Sequence, residues 1–79
     1  MVTVVRSGSL RLVIFPDDHD PPHVHVIGDG ETKIVLGDSP EALLVIFSVG
    51  TKANERRRAV EAVHDNHAYL LQRWSELNG

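Results

Sequence analysis

The hydrophobic and polar positions of this chain change their spacing near residue 50. Before that point, short apolar and β-branched runs alternate with clusters of turn residues, a pattern typical of β-strands. The four strands predicted in this way cover residues 2–5, 10–15, 23–27 and 32–36. Turn residues separate the first strand from the second and the third from the fourth, so the pattern predicts two hairpins.

Residues 42–49 form a nearly continuous apolar run that follows the break at Gly37-Asp38-Ser39-Pro40. The run fits either a fifth strand or a short buried helix, because periodicity alone does not separate the two in so short a segment. Its valine, isoleucine and phenylalanine content favours the strand. Both alternatives stay open at the level of the sequence.

After residue 50, apolar side chains recur at steps of three and four residues, which is typical of a helix that packs on one side. The positions of this stripe are Val60, Val63, His67, Leu70, Leu71, Trp74 and Leu77. The pattern predicts one long helix from about residue 51 to about residue 77. His67 and Trp74 then belong to its structural face, and a hydrogen-bonded core histidine is the simpler interpretation of His67. We therefore expect residues 1–79 to form one α+β domain, an antiparallel sheet of four to five strands with this helix on one face.

The third predicted strand separates valines from histidines, because side chains alternate across a strand. Val24 and Val26 lie on one face, which we expect the helix to cover. His23, His25 and Ile27 lie on the other face.

The second predicted strand is apolar on both sides, although one helix covers only one face of a sheet. Val13 and Phe15 fall on the face away from the helix, together with Ile27. We therefore expect Val13, Phe15 and Ile27 to line a contact with a second copy of the chain or with a partner protein.

Composition narrows the functional classes further. The net charge of −3 gives no overall attraction to nucleic acid or anionic lipid, and the absence of cysteine excludes disulfides and thiolate chemistry. No apolar run approaches the length of a membrane span and no signal peptide is recognisable, so the cytoplasm is the expected location. Arg56-Arg57-Arg58 is the one basic cluster, and Arg56 and Arg57 are candidate contacts for phosphate or for an acidic partner.

His23 and His25 are the strongest candidates for chemistry. Two residues apart on a strand, their imidazoles point to one side at a spacing of roughly 7 Å along the chain. With a carboxylate from the preceding loop, Asp20 or alternatively Asp18, they would bind one divalent metal ion. Such a centre would activate water for hydrolysis, for example of RNA. Two alternatives remain open: a solvated or interfacial histidine pair, and a metal-free ribonuclease in which His23 or His25 acts as acid and base.

Three segments resemble the domain of unknown function 4160 family of short, mostly bacterial proteins. They are Thr3-Val4-Val5-Arg6, the central Asp20-Pro21-Pro22-His23-Val24-His25-Val26, and Leu70-Leu71-Gln72-Arg73-Trp74. Members of that family are frequently encoded beside a protein of the domain of unknown function 2442 family, in pairs proposed to be toxin–antitoxin-like. The resemblance implies a cognate partner protein, places this chain on the toxin side, and carries no activity with it.

Overall fold

A computed structural model describes residues 1–79, which form a five-stranded antiparallel sheet and two C-terminal helices. The strands, which are hydrogen-bonded to one another in chain order, are β1 (Val2–Ser7), β2 (Leu10–Ile14), β3 (His23–Ile27), β4 (Glu31–Val35) and β5 (Leu44–Val49). A 3-10 turn at Pro40–Ala42 precedes β5, and the helices are α1 (Ala53–Asp65) and α2 (His67–Asn78). The predicted α+β architecture is confirmed. Neither helix has the length and apolar character needed to cross a membrane.

The prediction of one long helix needs a correction at Asn66, where the chain leaves helical geometry for a single residue (φ −113°, ψ 16°). The Asn66 side-chain amide donates a hydrogen bond of 2.7 Å to the Ala62 carbonyl. This local bond competes with the helical backbone bonds and breaks the helix. The apolar stripe nevertheless continues from Val63 in α1 to Leu70 in α2, and both residues are fully buried.

The core lies between the two helices and one face of the sheet. Its buried residues are Leu10, Leu12, Ile14, Val24, Val26, Ile34, Leu36, Ala59, Ala62, Val63, Leu70 and Trp74. The two valines of β3 are among them, which confirms that the helices cover the valine face. His67 is also buried, and its Nε2 lies 2.8 Å from the Leu36 carbonyl, so Nε2–H donates to that oxygen.

A buried glutamate connects α1 to the turn between β3 and β4. The Asp29 backbone N–H donates a 3.1 Å hydrogen bond to Glu55 Oε1. A side chain at Gly28 would collide with the same carboxylate, because an ideal Cβ there would lie 2.8 Å from Glu55 Oε1. This contact fixes the start of the helical layer against one end of the sheet.

Within the apolar run at residues 42–49, Ala42 belongs to the 3-10 turn and Leu44–Val49 form the strand β5, which is exposed along nearly its whole length. In the register with β4, Lys33 pairs with Phe47 whereas Ile34 pairs with Val45, so Ile46 forms a bulge. Since β5 ends the sheet, one row of its backbone groups has no strand beside it.

Candidate functional site

The loop between β2 and β3 is held in place from two sides. The Asp18 backbone N–H donates a 2.6 Å hydrogen bond to Asn78 Oδ1, at the end of α2. The Leu36 N–H donates to the Pro22 carbonyl at 2.9 Å, just beyond β4. Asp17 adopts a left-handed conformation with φ of 58°, which turns the chain so that Asp18 faces β3.

His23 is the most buried polar side chain of this region, with 5% of its surface exposed. Its Nδ1 lies 2.9 Å from the Pro21 carbonyl and its Nε2 lies 2.9 Å from Asp18 Oδ2. The indole of Trp74 covers one side of the ring, with 4.8 Å between ring centroids. The C-terminal half of α2 therefore reaches His23 at the first residue of β3, the central strand of the sheet.

The hydrogen bonds of His23 determine its tautomer. The Pro21 carbonyl only accepts hydrogen bonds, so Nδ1 carries a proton and donates it. In the neutral ring, Nε2 then presents a lone pair to the carboxylate of Asp18, which is also an acceptor when ionised. A cation, either a proton or a metal ion, is needed between these two atoms.

His25 has a similar arrangement on the same face of β3. Its Nδ1 lies 2.9 Å from Glu31 Oε2, so Nδ1–H donates to that carboxylate, while Nε2 makes no hydrogen bond within the protein. The His25 ring stands edge-on to Phe15, at a centroid distance of 4.8 Å, and 5.4 Å from the ring of His23. The Phe47 ring lies on its other side, at 6.4 Å.

Asp18, His23 and His25 together form a cluster of three ligand groups. One ligand atom from each lies within 4.8 Å of the others. The backbone N–H of His19 donates to Asp18 Oδ1 at 2.8 Å. This bond, aided by the neighbouring His23, holds the pKa of the Asp18 carboxyl below its ordinary value of 3.8, although burial acts in the opposite direction. The carboxylate is thus ionised in the range where a metal ion would bind it.

A cleft of about 330 Å³ opens beside this cluster. Its lining consists of Asp18, His19, Asp20, Pro21, His23, Lys33, Val35 and Ile46. Asp20, which the sequence suggests as the third ligand, lies at the cleft but outside the three-residue cluster. The structure brings Asp18 to the histidine pair instead.

The remaining predicted contact residues separate into two regions. Phe15 and Ile27 lie on the face away from the helices, where both keep exposed surface. Val13 pairs with His25 on that face but is 0% exposed, so it supports the surface from below and does not itself reach a partner. Arg56 and Arg57 lie elsewhere, along a groove between α1 and Val45 on the helix side of the sheet.

Two functional residues were missed by the sequence analysis. Glu31 orients His25, and Lys33 lines the cleft as the direct partner of His25 on β4. The tight turn at Gly28-Asp29-Gly30 contained the signal, because the hairpin register that it sets places Lys33 opposite His25. No comparable signal exists for Asn78, which is 60 residues from Asp18 in the chain.

Comparison with known families gives one match. A family model described as Domain of unknown function (DUF4160) matches residues 10–75 of the 79-residue chain, a segment that contains the whole Asp18–His23–His25 cluster. The searches against curated proteins and against solved structures give no match.

Proposed function

We propose that this chain, which belongs to the DUF4160 family, is a protein-interaction component that pairs with a second copy of itself through the free edge of β5. The family resemblance further implies a two-gene, toxin–antitoxin-like module. There, this chain would be the toxin-side component and a cognate protein would be its other partner. The exposure of β5 is the observation that carries the proposal.

Exposed hydrophobic side chains are concentrated in β5. Five of the eight large hydrophobic residues with exposed side chains belong to it: Leu44, Val45, Ile46, Phe47 and Val49. Edge strands of stable monomers are usually protected by charges, prolines or covering segments. Residues 44–49 contain no charge and no proline. A strand of this kind is suited to pairing with another strand through its free backbone groups.

A second copy fits this edge because the order in which β5 side chains lie on the open face or on the helix side is the same from either end of the strand. Leu44, Phe47 and Val49 pair with residues of the open face, and Ile46 lines the cleft on that face. Val45 and Ser48 pair with residues of the helix side. The bulge makes this order symmetric about the midpoint between Ile46 and Phe47. Antiparallel pairing about a two-fold axis there keeps every side chain on its own face.

The charge pattern of β5 is compatible with the same register. No like charges meet along the paired strands, because residues 44–49 are uncharged.

The open face of the sheet, formed around Phe15, His25, Ile27 and Phe47, is the surface proposed for the cognate partner. Phe15 and Phe47 flank the His25 ring and both keep 37% of their surface exposed. Aromatic side chains of this kind, next to partly buried polar groups, are enriched at protein interfaces. Two β5-paired copies would present their open faces on the same side of one continuous sheet.

Lysine substitution in β5 tests the pairing. Ile46→Lys and Val49→Lys should each convert the wild-type dimer to a monomer, because the pairing would bury their ammonium groups or set them against apolar side chains. Sedimentation velocity measures this directly. Tyr69→Lys, at an exposed position of α2, is the matched control and should leave the dimer intact. A monomeric wild type, or dimers that survive both β5 substitutions, would rule out the proposed edge.

Metal-dependent hydrolysis is a second candidate function, favoured by the cluster of Asp18, His23 and His25 at an open cleft. RNA is the substrate class that a toxin-side role suggests. Lys33, at the cleft, is the cation in reach of a phosphate, since Arg56 and Arg57 line a different groove.

Incubation of the protein with RNA should then give cleavage that requires added Zn²⁺ or Mn²⁺ and that Asp18→Asn abolishes. Lys33→Ala should reduce this activity, and Arg57→Ala should not. Cleavage of equal rate in excess chelator, or in the Asp18→Asn protein, would exclude this function.

A further inference from the structure

We propose that Asp18, His23 and His25 form a binding site for one divalent transition-metal ion of the class represented by Zn²⁺. The inference goes beyond the interaction function and does not require that the chain catalyse any reaction. Four features of the cluster support it: the separation of the ligand atoms, the ring nitrogens that the histidine tautomers leave for a metal ion, the supporting hydrogen bonds of Asp18, and the access to solvent through the cleft.

The ligand atoms are close to the spacing of a coordination sphere. Imidazole nitrogens and carboxylate oxygens bind Zn²⁺ at about 2.0–2.2 Å, which places ligands of one ion about 3–3.5 Å apart. Nε2 of His23 and Oδ2 of Asp18 are already 2.9 Å apart. A ring nitrogen of His25 lies within 4.8 Å of both, and metal binding would require this partly exposed side chain to move closer.

Each histidine uses Nδ1 as a hydrogen-bond donor, which leaves Nε2 as the ring nitrogen for a metal ion. Nδ1–H of His23 donates to the Pro21 carbonyl, and Nδ1–H of His25 donates to the Glu31 carboxylate. In the neutral rings Nε2 then carries no proton, and a metal ion would replace the proton that His23 Nε2 and the Asp18 carboxylate otherwise share. A carbonyl or carboxylate on the far side of the ring is the usual support of metal-binding histidines, and it raises the basicity of the ligand.

The carboxylate of Asp18 has its own supports. Its Oδ1 accepts a hydrogen bond from the His19 backbone N–H, which leaves Oδ2 directed at His23. Asn78 holds the Asp18 backbone from α2. Trp74 packs against His23 and keeps water from that side of the ring. Fixed positions of this kind reduce the conformational entropy that metal binding would otherwise cost.

The chemistry of the ligand set selects the class of metal. Ca²⁺ and Mg²⁺ prefer all-oxygen sites, whereas two imidazoles and one carboxylate suit Zn²⁺ and its first-row neighbours. Three protein ligands leave at least one coordination position, and the cleft beside Asp18 and His23 gives it access to solvent. The site therefore has the open arrangement in which a metal ion keeps an exchangeable water.

Zinc titration of the full chain, prepared without a histidine tag and stripped with chelator, tests the proposal. Isothermal titration should give one Zn²⁺ per chain, and the melting temperature should rise with zinc concentration. Asp18→Asn and His25→Gln should remove this binding. Glu31→Gln, which alters only the support of His25, should weaken it by about ten- to a hundredfold.

Two matched controls decide whether the site is specific. Asp20→Asn changes a neighbouring carboxylate of the same loop, and His64→Gln changes an exposed histidine of α1. Both should bind zinc as the wild type does. Since His23 is buried, its replacement can unfold the chain, whereas the partly exposed Asp18 and His25 avoid that problem; circular dichroism verifies the fold of each variant.

Visible absorption of the Co²⁺-substituted protein supplies a readout of ligand geometry that does not depend on heat or melting. Intense bands from a four- or five-coordinate ion should form in the wild type and be lost in Asp18→Asn. Absence of stoichiometric zinc binding, or binding that persists in both Asp18→Asn and His25→Gln, overturns the proposal. Sedimentation in excess chelator keeps this outcome separate from the β5 proposal, which requires no metal.

Discussion

Asp18 is the residue at which the loop, the sheet and α2 meet. Its backbone N–H is bound by Asn78 of α2, and its carboxylate receives the His19 N–H and faces His23 of β3. An ionised carboxylate that accepts such bonds is stabilised in the folded state. Asp18 therefore contributes both to the stability of the fold and to the arrangement of the histidine cluster.

The pH dependence of stability in the metal-free protein should reveal this role. The pKa of Asp18 is lowered in the folded chain, so its contribution is complete above the ordinary value of 3.8 and is lost as the pH falls through the folded pKa. The stability difference between wild type and Asp18→Asn, measured by urea unfolding in chelator, should shrink as the pH falls below about 4, where the carboxyl of the wild type becomes protonated. A difference that stays constant or grows over that acidic range would contradict the assignment.

The sequence predicts the histidine pair but not its third partner. Strand alternation alone places His23 and His25 on one face, and the structure has both on the face that β4 continues with Val35 and Lys33. The preceding loop offers three aspartates. The choice of Asp18 depends on a hydrogen bond to Asn78, which is distant in the sequence, and on the left-handed turn at Asp17. Local patterns contain neither piece of information.

Among the elements, β5 shows how an apolar run can mislead. A strand with so few polar positions is expected to be buried on both faces, yet residues 44–49 are largely exposed. The core of one chain therefore does not explain the apolar content, and this is the reason for the proposed pairing with a second copy. The sequence does not predict the break at Asn66, because one non-helical residue leaves the three- and four-residue spacing of the apolar positions unchanged. The pattern from Val63 to Leu70 is therefore that of one continuous helix.

The hydrogen bond between Glu55 of α1 and Asp29 of the β3–β4 turn should contribute measurably to stability. Glu55→Ala removes the charged acceptor of the part-buried Asp29 N–H and should lower the free energy of unfolding by about 1–2 kcal/mol. Glu55→Gln retains a carbonyl acceptor and should cost less. Glu61→Ala, at an exposed position of the same helix, should change stability by at most about 0.5 kcal/mol. Urea unfolding measures all three, and equal losses for Glu55→Ala and Glu61→Ala would show that the contact contributes nothing.

At the scale of the whole molecule, the helices cover one face of a sheet whose other face and last edge stay open. The strand order and the helical layer follow from periodicity and turn residues, because each hairpin is local in the chain. The function does not follow in the same way. In the proposed function it depends on the molecules that contact β5 and the open face, and the pattern of a single chain does not encode them.

Single-cysteine cross-linking tests self-association through β5, because it measures which residues of the two copies lie side by side. The chain has no cysteine, so an introduced cysteine can form a disulfide only with the same residue of the second copy. Mild oxidation should cross-link Ile46→Cys and Phe47→Cys, since these positions flank the proposed two-fold axis. Leu44→Cys and Val49→Cys should not be cross-linked, because each thiol is too far from the same residue of the second copy to form a disulfide. Equal cross-linking at all four positions, or none at residues 46 and 47, would contradict the β5 pairing.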